Sequence, residues 1–118
     1  MDVLIVENSE EFSSWIVSEF ENIQNLRILG TVTSVQDGYK ALKKNVPQIL
    51  ILDLVLSDGS GIKLLKKIRE MDLPIKVIVF TNYNFYRKEC LKHGSDYFFD
   101  KSSEFEEMIS TVKFLSKN

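Results

Sequence analysis

The sequence predicts a doubly wound α/β sandwich, (βα)5, with five parallel strands each followed by a helix. Two observations predict it. Short apolar runs alternate with amphipathic stretches along the whole chain. The runs Ile49–Leu52 and Val77–Phe80 are apolar at every position instead of every second one. Both faces of their sheet must then be covered by helices, which is the mark of parallel pairing. Right-handed crossovers wind those helices onto the two faces.

The elements follow in order. Val3-Leu4-Ile5-Val6 is a buried-strand run. From Ser9 to Ile23, the residues Phe12, Ile16, Phe20 and Ile23 recur at helical spacing. Arg27 to Val32 reads as the second strand, and Val35 to Asn45 as a short helix with Leu42 facing inward. Gln48 to Asp53 is the third strand. Ser60 is the expected N-cap of a helix that uses Ile62, Leu65 and Ile68 and ends before Pro74. Lys76 to Thr81 is the fourth strand. Asn84 to His93 reads as a weaker helix closed by Gly94. Asp96 to Phe99 is a short fifth strand. The last helix is expected from Ser103 to Ser116, with Phe105, Met108, Ile109, Val112 and Leu115 on one stripe.

Composition narrows the function. The chain has 118 residues, 44% of them hydrophobic, which suits one domain with one core. Its last helix ends two residues before Asn118, so a single unit over 1–118 with no output domain is expected. Fifteen basic and seventeen acidic residues leave a net charge of −2, which argues against direct nucleic-acid binding. The nearest basic cluster, Lys63, Lys66, Lys67 and Arg69, reads as the solvated face of a helix. Cys90 is the only cysteine, expected as a small buried apolar residue. No apolar run reaches the length of a membrane span, and the start is too short and acidic for a signal peptide. A cytoplasmic location is expected.

Chemistry in an open parallel sheet gathers at the C-terminal ends of the strands. Glu7-Asn8 follow the first strand, Asp53 ends the third, Thr81 ends the fourth, and Asp100-Lys101 follow the fifth. An acid, an Asp, a hydroxyl and a lysine thus reach one rim from four strands. This pattern resembles the receiver domain of two-component response regulators, over essentially the whole chain. Glu7 and Asn8 match the family's acidic pair, Asp53 its phospho-acceptor, and Leu54 to Gly61 the loop after it. Thr81 matches the hydroxyl residue, and Phe98-Phe99-Asp100-Lys101 the aromatic switch position followed by the lysine.

The resemblance implies a flavodoxin-like sheet of strand order 2-1-3-4-5. It implies Mg²⁺ held by Glu7, Asn8, Asp53 and the backbone carbonyl of Val55. Asp53 would receive a phosphoryl group from a sensor histidine kinase or phosphotransfer protein, with Lys101 and Thr81 on the phosphoryl oxygens. Thr81 would then move and Phe98 rotate inward, so that a downstream protein reads the face of the fourth helix, fifth strand and fifth helix. A homodimer through that face is a further expectation. The family is not enzymatic beyond promoting its own phosphotransfer and slow dephosphorylation. Val55 and Tyr83 would line the approach of the hydrolytic water, and neither can orient it.

The sequence departs from the family at four positions. Asn8 stands where Asp is usual, which removes one anion from the metal site; an Asn there is also a common helix cap. Ser57 and Ser102 stand where prolines are common, and a cis bond before Ser102 would cost about 2.5–4 kcal/mol. Asn82 follows Thr81 where a small residue is usual. The runner-up reading is a pseudo-receiver, an interaction module that no longer switches. A phosphatase of the haloacid-dehalogenase type would need an Asp where Val55 stands. A flavin carrier would need a Ser/Thr/Gly-rich loop where Glu7-Asn8-Ser9-Glu10-Glu11 stands.

Overall fold

A computed structural model describes residues 1–117; Asn118, the last residue of the expected unit, lies outside them. Five parallel strands form one sheet: β1 (Asp2–Val6), β2 (Arg27–Val32), β3 (Ile49–Leu52), β4 (Lys76–Thr81) and β5 (Tyr97–Asp100). Their order across the sheet is β2-β1-β3-β4-β5, as the resemblance implies. Helices α1 (Glu10–Phe20) and α5 (Phe105–Ser116) cover one face. Helices α2 (Val35–Lys44), α3 (Gly61–Glu70) and α4 (Arg87–Lys92) cover the other.

The two-faced runs make two cores. Leu50, Leu52, Val77 and Val79 pack with Leu42, Leu64, Leu65, Ile68 and Cys90 under α2, α3 and α4. Ile49, Ile51, Ile78 and Phe80 pack with Ile16, Phe20, Met108 and Val112 under α1 and α5. Successive residues of a strand point to opposite faces, so an unbroken apolar run is what a doubly covered strand requires. Cys90 is fully buried, and burial pushes its thiol up to about 11.

Side-chain caps set most helix starts. Ser9, Ser34 and Ser60 accept from the backbone N–H groups of Phe12, Asp37 and Ile62. Ser9 is therefore the cap of α1, not its first residue, and the capping role open to Asn8 is already filled. The helix stops at Phe20, short of the expected Ile23, and a left-handed Asn25 turns the chain into β2. Ile23 still reaches the core from that turn. Asp58, in the loop after β3, accepts from Val35 N at 2.7 Å and Gln36 N at 3.1 Å. It thus binds free N–H groups at the start of α2, and these bonds hold its carboxyl below the usual range.

Three expectations need correction. The region 84–93 is not one helix: a 3-10 turn over Asn84–Tyr86 precedes the short α4. No side chain caps either piece, and Cys90 alone is buried from α4. The last helix begins at Phe105 because the Asp100 carboxylate holds Ser102 in a turn and its carbonyl accepts from Glu104 N. Among the described residues every peptide bond is trans, that before Ser102 included. Arg69 is also not part of a solvated face. Its guanidinium donates to the carbonyls of Gly94, Leu73 and Ile75 and to Asp96 Oδ2. It ties the end of α3 to the turns before β4 and β5.

The loop after β3 folds back as a two-residue antiparallel pairing of Val55–Leu56 with Gly59–Ser60. Gly61 then starts α3 directly against Asp53. A Cβ there would overlap the Asp53 carbonyl oxygen and lie 3.2 Å from Leu52 Cδ1. Gly61→Ala should therefore lower the unfolding free energy by about 1–3 kcal/mol through overpacking. Urea denaturation measures it, and an unchanged midpoint would show that the start of α3 can shift freely.

Candidate functional site

The sheet register fixes the site. Val6 pairs with Leu52, and Leu52 with Val79. Asp53 N donates to Val6 O at 2.9 Å, so Glu7 and Asp53 leave adjacent strands side by side. Thr81 pairs with Asp100, and Lys101 N donates to Thr81 O at 3.0 Å. Four strand ends thus deliver Glu7, Asp53, Thr81 and Lys101 to one rim. All four are buried.

Lys101 Nζ donates to Glu7 Oε2 at 2.8 Å and to Asp53 Oδ2 at 3.0 Å. The ammonium also lies 4.7 Å from the ring centroid of Phe12, over its negative face. One cation serves two buried carboxylates, so the trio carries a surplus negative charge when both are ionised. Glu7 Oε1 is buried with no hydrogen-bond partner. Its carboxyl is pushed up to about 7, first by burial and then by the Asp53 charge. The Lys101 and Ser9 N–H bonds oppose the rise without cancelling it. Asp53 Oδ1 is within 3.4 Å of Val55 N, and Thr81 Oγ1 accepts from Tyr83 N at 3.3 Å.

These features fit a hard cation. An orphaned buried carboxylate oxygen beside a second carboxylate is under-neutralised, and oxygen donors suit Mg²⁺. Among the described residues no group of three His, Cys, Asp or Glu side chains forms a metal cluster. Asn8, where a third carboxylate would stand, is exposed beside Glu7. Val55 is also exposed, just after Asp53.

Phe98 is already turned inward. It is 4% exposed, packed in the core beneath α3 and α4. Arg87 lies with its guanidinium 4.8 Å from the Phe98 ring centroid, donates to Phe98 O at 3.0 Å, and pairs with Glu104 at 3.0 Å. The inward position expected only after phosphorylation is thus the one Phe98 occupies here. The Arg87 clasp and the Phe12 ring under Lys101 escaped the sequence reading. Phe12 had a visible signal only as a core position of α1, and Arg87 had none.

The raised Glu7 carboxyl gives a pH dependence. Below its ordinary value of 4.5 the group is protonated in both the folded and the unfolded chain. As pH rises toward about 7 the unfolded chain releases its proton first, so the folded state loses stability across that window. The unfolding midpoint of wild type should fall between those limits more steeply than that of Glu7→Gln. Parallel thermal melts across the window test this, and equal slopes would contradict it.

Comparison with known proteins gives the family and the fold. The sequence pattern of the response regulator receiver domain matches residues 3–113. The sensory transduction protein LytT of Bacillus anthracis is 25% identical over 117 residues, covering 99% of this chain and 48% of its own length. The chain spans about half the length of the curated relatives it matches. Two solved structures share the fold. The response regulatory domain of protein mrkE from Klebsiella pneumoniae superposes with a TM-score of 0.90 at 18% identity, over 99% of this chain and 96% of that one. A DNA-binding response regulator of the LuxR family from Staphylococcus aureus superposes at 0.88 and 23% identity, over 98% of each chain. With the family pattern running through both cores and all four strand ends, this chain belongs to the response regulator receiver domains.

Proposed function

We propose that residues 1–118 form one phospho-acceptor unit of a two-component relay, with Asp53 as the acceptor. The observation that carries this reading is the buried Asp53 carboxylate, sharing the Lys101 ammonium with Glu7 beside Thr81. A lone pair of the Asp53 carboxylate forms the new O–P bond. The bond from phosphorus to the donor nitrogen breaks, and its electrons return to the imidazole of a kinase or phosphotransfer histidine, which takes up a proton. Lys101 then has an incoming phosphoryl oxygen as a new anionic partner, and the Thr81 hydroxyl donates to another. Glu7, Asn8, Asp53 and the Val55 carbonyl would hold Mg²⁺, which when bound neutralises phosphoryl charge.

The readout follows from how α4, β5 and α5 are joined. Thr81 precedes the segment that carries α4, and Arg87 binds α4 to the Phe98 backbone and to Glu104 ahead of α5. A shift at Thr81 is therefore transmitted to a surface that a downstream protein can read. No helix of the described residues is long and apolar enough to cross a membrane. The relay reading puts the chain in the cytoplasm, where it meets a kinase's catalytic half.

Incubation with acetyl phosphate and Mg²⁺, followed by intact-protein mass, tests the acceptor. Wild type should gain one phosphoryl mass and Asp53→Ala none; equal labelling of both would reject Asp53. A wild type that gains nothing would favour the interaction-module reading instead.

Asn8 sets the metal affinity. Asn8→Asp restores a third anion at the rim, offset in part by its repulsion with Glu7 and Asp53. Calorimetric Mg²⁺ titration should show tighter binding by about ten- to a hundredfold, which is ~1.4–2.8 kcal/mol. Equal affinities would mean that residue 8 does not touch the metal.

A further inference from the structure

Two patches of unusual composition lie on opposite faces of the sheet. On the α1–α5 side, Trp15 is 52% exposed, its ring meeting Phe12 and Phe105 edge-on. Glu11 and Glu19 lie one helical turn before and after it, both exposed, and α1 contains no basic residue. On the other side, an open groove of about 720 Å³ runs between α3 and the segment that leads into α4. Tyr83, Phe85, Tyr86 and Glu89 line one wall, and Lys63 and Lys66 stand on the other, which leaves the groove one net positive charge. Phe85 is 73% exposed and rests against Tyr86, with ring centroids 4.5 Å apart. Three exposed aromatic side chains within four residues make an apolar patch of the kind that marks an interaction surface.

We propose that this groove receives Trp15 of a second copy of the same chain, laid head to tail. Charge selects the occupant. Glu11 and Glu19 flank the tryptophan that would enter, and Lys63 and Lys66 border the groove that would receive it. Pairing the tryptophan patch with itself would set Glu against Glu, whereas the groove, where Lys63 and Lys66 outnumber Glu89, offers that patch opposite charge, so the two unlike patches are the better match. An aromatic anchor entering an aromatic-lined groove is also the usual source of energy in small interfaces. Because the donor and acceptor patches sit on opposite faces of one sheet, two copies cannot exchange both contacts at once. Each added copy leaves one tryptophan and one groove free, which builds head-to-tail assemblies larger than a dimer. This arrangement is distinct from a two-fold dimer through α4, β5 and α5.

Sedimentation of full-length chain from micromolar to millimolar concentration should show a mass that rises steadily with concentration. Trp15→Ala alone and Phe85→Ala alone should each stay monomeric, and both residues are exposed enough for the variants to fold. Mixing the two variants should produce a dimer and nothing larger, since one retains the groove and the other the tryptophan. The double reversal Lys63→Glu/Lys66→Glu should also abolish association, and adding Glu11→Lys/Glu19→Lys in the same chain should restore it. A wild type that stays monomeric throughout overturns the proposal. So does association that survives Trp15→Ala, or a variant mixture that remains monomeric.

Discussion

The Lys101 ammonium between Glu7 and Asp53 governs the rest of the site. Two carboxylates cannot be buried side by side without a counter-charge, and leaving either unpaired would cost several kcal/mol. Lys101 satisfies one oxygen of each, and the ring of Phe12 supports the ammonium from below. It does not satisfy everything, since Glu7 Oε1 is buried without a partner. The site is thus held together by a cation of its own while keeping an unmet demand for another. The incomplete balance lowers stability at the rim, and a metal ion, on the function proposed above, would relieve it.

The strands and the site residues were legible in the sequence for a shared reason. A doubly covered parallel strand must be apolar throughout, so Ile49–Leu52 and Val77–Phe80 stand out. Their ends then fall at Asp53 and Thr81 without any knowledge of tertiary structure. The helical stripe Phe105, Met108, Ile109, Val112 was equally plain, because a long amphipathic helix repeats its signal. The α4 region was not. With Cys90 its sole buried side chain and no cap at its start, it offers too little periodicity to separate a 3-10 turn from a helix.

Other features were hidden because they depend on partners distant in sequence. Arg69 looked like one more lysine-like residue of a solvated face. Its guanidinium in fact finds carbonyls at Leu73, Ile75 and Gly94, and a planar fork of five donors suits that role where an ammonium would not. Gly94 allows this approach: it sits at φ 101°, and a side chain there would press within 2.9 Å of Arg69. The position of Phe98 is a similar case. An aromatic before a lysine can be read from sequence, but the guanidinium that lies over its ring and binds its carbonyl comes from Arg87, eleven residues upstream.

The strand order carries a consequence for how the chain is made. β1 is the first strand synthesised, yet its neighbours are β2 and β3, and the counter-charge for Glu7 lies 94 residues later. On a ribosome that emits the N-terminus first, Glu7 and Asp53 emerge long before Lys101. Until it arrives, burying both carboxylates is opposed by their own repulsion. The contacts that complete the polar rim and pair the second edge of Ile49–Leu52 are thus among those of long sequence separation, the kind of contact whose loop-closure cost slows folding.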